Sequence, residues 1–137
     1  MAVSVISTAA GKCTMSFSDA LIRGVFCNFL VCIAVWISFA AKDAAGKVIG
    51  LFFPIMIFVL CGFEHSVANM YYIGAGLMAR TVPEYLDAAL AAGLNPDVIN
   101  LGNFLFANLL PVTIGNILGG GVCVGGVYWL AYLRNAD

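Results

Sequence analysis

Residues 48–79 read VIGLFFPIMIFVLCGFEHSVANMYYIGAGLMA, an apolar run that carries its only acidic and basic side chains, Glu64 and His65, near its centre. His65 is also the only histidine in the chain. About 20 such residues suffice to cross roughly 30 Å of hydrocarbon, so the run reads as a membrane span. An ionised group at the bilayer centre costs about 2.5–3.5 kcal/mol even on the lenient insertion scales. Such groups face a cavity or a partner and by default mark a transport path. The run is longer than one straight crossing needs, and Pro54, Gly62, Gly74 and Gly76 punctuate it. Glycine next to an acid and an imidazole at mid-span predicts a helix broken near residues 62–66, because irregular backbone at that depth needs protein or a watery cavity to satisfy it.

The rest of the chain agrees with the membrane reading. Hydrophobic residues make up 63% and charged residues 9% of the 137 residues, and the mean hydropathy is +1.02. Soluble domains carry about 25% charged residues. The net charge of −1 gives no basic footprint for nucleic acid. The length allows one small domain, residues 1–137. Cys13, Cys27, Cys32, Cys61 and Cys123 lie in or near apolar segments without metal-ligand spacing. They read as reduced, hydrophobe-like cysteines, and no metal site or cofactor is expected. No enzymatic constellation stands out.

Further spans are expected at about residues 17–41 and 108–133, with Met1–Ala10 as the tail end of a preceding helix and Gly11–Thr14 as a break. Ser16 or Ser18 can cap the first complete span, with Asp19 in its first turn. Arg23 can snorkel to headgroups. Asn28 lies inside this span and suits either an interhelical hydrogen bond or the lining of a pore. The last apolar stretch is too long for one crossing, and Pro111 offers a breakpoint between a re-entrant lead-in from about Ile99 and a full span. Its glycines, Gly115 with Gly119 and Gly121 with Gly125, have the small-xxx-small spacing of close helix packing. Asn116 stands among them and presents amide donors where backbones approach closely. Tyr128, Trp129 and Tyr132 form an aromatic belt ahead of Arg134. Lys42 and Lys47 flank a short loop that the positive-inside rule puts in the cytoplasm, together with the C-terminus; the acidic segment from Arg80 to Asp97 is then external.

Three ordered stretches carry a family resemblance. They are Gly24-Val25-Phe26-Cys27-Asn28-Phe29-Leu30-Val31-Cys32 with Ala34-Val35-Trp36; Gly62-Phe63-Glu64-His65-Ser66-Val67-Ala68-Asn69-Met70-Tyr71; and Asn108-Leu109-Leu110-Pro111-Val112-Thr113-Ile114-Gly115-Asn116 with Gly119, Gly120, Tyr128 and Trp129. The chain resembles the formate/nitrite transporter family of formate, nitrite and hydrosulfide channels, from about Lys12 to Arg134. It departs from the pattern at Gly74, where many relatives have proline. The resemblance implies an all-α integral membrane fold: three transmembrane helices, the middle one broken, plus the end of a preceding helix. That set is equivalent to one inverted repeat of an aquaporin-like six-helix protomer, its C-terminal half. The family assembles as pentamers of such protomers, so a missing N-terminal half is expected to complete the pore before a homo-pentamer forms in the inner (plasma) membrane.

The resemblance also assigns roles. His65 matches a pore histidine proposed to donate a proton to the passing anion. Phe58 matches a constriction residue, although a phenylalanine in an apolar helix is more often plain packing. Asn116 matches a polar residue facing the histidine, and Lys12 a lysine associated with anion attraction. Glu64 adjoins the histidine; a carboxylate in the path would repel an anion, so a structural role at the break is favoured. The expected function is proton-linked transport of a small monovalent weak-acid anion, formate before nitrite or hydrosulfide. Imidazole titrates near pH 6.5, which suits a proton relay. Two other classes stay open: a haem- or quinone-binding membrane anchor, and a non-transporting remnant or assembly subunit.

Overall fold

A computed structural model describes residues 2–134. The described residues are helical, with no strand among them. The elements are α1 (Ala2–Cys13), α2 (Phe17–Ala40), α3 (Ala44–Leu60), α4 (Ser66–Ala79), α5 (Pro83–Ala91), a 3-10 turn (Pro96–Val98) and a long final helix, α6 (Asn103–Leu133). By length and composition α2 and α6 can each cross a membrane, and α3 is a shorter apolar helix. The expected break in the middle span is present, between Leu60 and Ser66. The expected cytoplasmic tail extends past Arg134, outside the described residues.

The chain forms two compact units, one of residues 1–20 and 66–111 and one of residues 21–65 and 112–137. In the first, α1 packs against α4, α5 and the start of α6. Ile6, Ala9 and Cys13 of α1 form its core with Ile73, Ala89 and Ile99. Gly76 lets α4 close directly onto Ala9. The acidic connection after α4 is ordered: the Arg80 guanidinium donates to the Ile99 carbonyl and pairs with Asp97 at 3.3 Å.

The second unit is organised around α2 and the C-terminal part of α6. Gly115 and Gly119 sit against the backbone of Leu21, Val25 and Phe29, so close that a methyl group at either position would collide with main chain. The first small-xxx-small pair is thus a packing seam. The second is not one within this unit: Gly121 has open space around it, and Gly125 meets only its own helix. Trp36 of α2 lies on Tyr128, which stacks on Tyr132, so the aromatic belt draws on two helices.

Two expectations need correction. α1 continues to Cys13 instead of breaking at Gly11. Pro111 is not a breakpoint, because α6 runs through it without interruption. The reason lies in the preceding turn, Asn103–Leu109, which is π-helical, and the Leu110 amide reaches back five residues to Leu105. The wider turn relieves the clash that a proline ring makes with the carbonyl four residues back. Leu118–Gly126 is π-helical as well. Gly74, the departure from the family pattern, lies inside an uninterrupted α4.

Candidate functional site

The break begins with a helix stop encoded by one glycine. Gly62 has φ +65°, a left-handed conformation that costs other residues about 1–2 kcal/mol. It lets the Gly62 amide reach the Val59 carbonyl at 3.1 Å and the Phe63 amide reach the Phe58 carbonyl at 3.0 Å. This paired reversal is a Schellman motif, and it satisfies the last carbonyls of α3. Phe63 then stacks on Phe26 of α2, with ring centroids 5.6 Å apart.

The extended residues that follow expose main-chain groups with no helix to serve them, and α2 and α6 supply the partners. The Glu64 amide donates to the Arg23 carbonyl at 3.3 Å. Arg23 Nη1 donates to the Gly62 carbonyl at 3.3 Å. Asn116 Nδ2 donates to the Glu64 carbonyl at 3.0 Å and to the Gly24 carbonyl at 2.9 Å. Asn28 Nδ2 donates to the Asn116 carbonyl at 2.8 Å. A hydrogen-bonded bracket of α2, the break and α6 results. It meets the requirement that non-helical backbone at membrane depth be satisfied by protein.

This geometry sorts the candidate residues. Asn116 is buried, and its amide hydrogens hold two carbonyls, which fits the reading of an amide donor where backbones approach closely; the sequence did not reveal which carbonyls. Asn28 makes the interhelical bond that was one of its two readings. Arg23 reaches the carbonyl at the break, a contact that its reading as a snorkelling cation did not include. Glu64 is buried, with its amide and carbonyl both bonded. His65 is half-buried and directly precedes the first turn of α4, and Phe58 tilts toward it with ring centroids 6.5 Å apart. Lys12 lies in the other unit, in the last turn of α1, where its ammonium stands 5.4 Å from the centre of the Tyr72 ring.

Sequence reasoning assigned no part to Asn69 and Asn108. Both are buried, and their side chains bond each other at 2.8 Å. Both were in view as asparagines in apolar segments, which are costly there without partners. That cost was the available signal, but only the folded chain names the partners.

Comparisons with known proteins agree with the all-helical membrane fold. The family model described as formate/nitrite transporter matches residues 1–130. The formate channel FocA of Escherichia coli (strain K12) is 41% identical over 137 residues, covering 98% of this chain and 48% of the relative. The uncharacterized transporter YrhG of Bacillus subtilis (strain 168) is 45% identical over 127 residues, covering 93% of this chain and 41% of the relative. Among solved structures, a pentameric formate channel with formate bound superposes with a TM-score of 0.82 at 40% identity, covering 96% of this chain and 52% of that one. The chain thus spans about half the length of the curated relatives it matches.

Proposed function

Since the chain belongs to the formate/nitrite transporter family, we propose that it forms one side of a membrane pore for small monovalent anions of weak acids, formate first among them. Transport through that pore is linked to a proton through His65. The observation that carries this reading is a half-buried histidine at a glycine-made helix break whose neighbouring carbonyls are already taken by Arg23 and Asn116. The backbone is served, and the imidazole is the chemically versatile group at the break.

The physics favours a weak acid. A formate ion crossing a dry constriction loses its hydration, and the membrane potential adds about 2.3 kcal/mol per charge per 100 mV. Protonation removes most of both costs. Imidazole exchanges protons at physiological pH, whereas alanine or a hydrocarbon cannot. Phe58 narrows the path beside His65. Lys12 draws the anion toward the pore by its positive charge. Glu64 supports the break. Nitrite and hydrosulfide share the weak-acid chemistry and are accepted by the same path. Further helices complete the pore wall, and the completed protomers assemble as a pentamer in the inner membrane, with Lys42, Lys47 and the C-terminus on the cytoplasmic side.

The test is uptake of labelled formate by vesicles from cells whose own gene carries His65→Ala, against wild type, across external pH 5 to 8. Wild type is expected to take up formate faster as the outside is acidified. The variant is expected to lose that dependence and most of the rate. Equal rates and equal pH profiles would refute the role given to His65.

A further inference from the structure

In the first unit, a chain of polar groups ties three helices together. Asn69 Nδ2 of α4 donates to Asn108 Oδ1 of α6 at 2.8 Å, and Asn108 Nδ2 donates to the carbonyl of Lys12 in α1 at 3.0 Å. Asn108 is fully buried. A buried amide is costly without partners, and a leucine of similar size would pack in an apolar interior with no such cost. What an amide offers in addition is a donor NH₂ and an acceptor oxygen on a single rigid group.

Both ends of this chain lead to Lys12. The residue lies in the last turn of α1, where carbonyls have no partner within their own helix. Thr14 serves the neighbouring carbonyls: its amide and hydroxyl reach Ala10, and its hydroxyl also reaches Gly11. The Lys12 carbonyl is instead capped from a different helix, by Asn108. On α4, Asn69 and Tyr72 are three residues apart and share a face. Tyr72 is the residue whose ring lies under the Lys12 ammonium. Lys12 is therefore held at its carbonyl by Asn108 and, among its other contacts, has its ammonium over the Tyr72 ring. The Asn69–Asn108 bond fixes these two contacts relative to each other.

We propose that Asn108 is a positioning residue for Lys12. By capping the Lys12 carbonyl while holding Asn69, it sets where the ammonium stands and so how strongly it attracts the anion. This rests on the reading of Lys12 given above. A point charge on a flexible stem attracts in proportion to how closely and how constantly it is held near the path.

The experiment uses membrane vesicles from cells whose own gene carries Asn108→Leu, Asn108→Asp, Lys12→Gln, or Lys12→Gln with Asn108→Leu. Aspartate, when ionised, keeps the acceptor for Asn69 and removes the donor to Lys12 at nearly the same volume, but adds a negative charge, so its acylation rate and not its half-saturation is compared with that of Asn108→Leu. Two quantities are read: the half-saturating formate concentration beside the maximal uptake rate, and the rate at which the Lys12 amine is acylated by succinimidyl acetate, followed by mass spectrometry. Asn108→Leu is expected to raise the half-saturating concentration about 3- to 10-fold, with the maximal rate within about twofold. The double variant is expected to match Lys12→Gln alone, and acylation of Lys12 to run about threefold faster in both Asn108 variants. A loss of maximal rate with unchanged half-saturation and unchanged acylation would show plain packing and overturn the proposal. An additive double variant would overturn it too. If Lys12→Gln leaves half-saturation unchanged, the role of Lys12 in attraction fails, and the acylation rates alone decide whether Asn108 positions it. Should Asn108→Leu fail to accumulate, the acylation rate of Lys12 in Asn108→Asp decides: faster acylation supports the proposal and unchanged acylation overturns it.

Discussion

At Gly62, a missing side chain makes the break possible, and at Asn116 a single amide makes it tolerable. Alanine at position 62 keeps the hydrogen bonds but must adopt φ near +65°. Gly62→Ala is expected to cost about 1–2 kcal/mol, measured by denaturant unfolding in detergent. Asn116→Leu strips the donor from the Gly24 and Glu64 carbonyls. Its expected cost is about 1–2 kcal/mol per bond, and Asn116→Asp is expected to rescue at most one bond, since both need a donor and even a protonated carboxyl has one. An Asn116→Asp protein as stable as wild type would contradict the bracket. Much at this scale was legible beforehand. Glycine beside an acid and an imidazole at mid-span gave the break, and an asparagine in an apolar helix gave the interhelical bond of Asn28. The bond from Arg23 to the break was not legible, because only the folded chain brings the Gly62 carbonyl close to it. Asn108 was overlooked for the same reason: its partners lie 39 and 96 residues away in sequence.

Between elements, contact between α2 and α6 depends on where side chains are absent. Gly119 abuts the Val25 carbonyl, while Gly121 faces open space within the chain. Gly119→Leu is therefore expected to force the helices apart at about 1–3 kcal/mol or more, and Gly121→Leu to leave the stability of the purified chain almost unchanged. Thermal unfolding of the two variants in one detergent checks the contrast, and equal losses would contradict it. The spacing of Gly115 and Gly119 announced a packing seam; it could not announce which of two similar motifs would be used. Pro111 shows the complementary limit. A proline in a long apolar helix reads as a break because its ring and its missing amide disrupt i to i−4 bonding. A preceding π turn changes the bonding step, and nothing local in the sequence signals one. Where the turn is already wide, Pro111→Ala is expected to shift stability by less than about 1 kcal/mol, far below the roughly 3 kcal/mol of a proline forced into an ordinary helix.

For the molecule as a whole, large apolar side chains such as Phe39, Leu60, Tyr71 and Met78 are exposed, at 72–75%. Lipid or further helices suit these faces, and the proposed pore requires further helices to enclose its path. Purified and reconstituted alone, the chain is expected to show no saturable formate flux; saturable flux abolished by His65→Ala would show that it needs no further wall. The proton linkage itself is tested most directly by counting. In vesicles that take up labelled formate, internal pH is followed by an entrapped dye while formate entry is measured in the same sample. The expected result is about one proton entering with each formate in wild type, as neutralisation of a single charge requires, and loss of that coupled flux with His65→Ala. Formate entry that leaves the internal pH unchanged, or a ratio that His65→Ala does not alter, would contradict it.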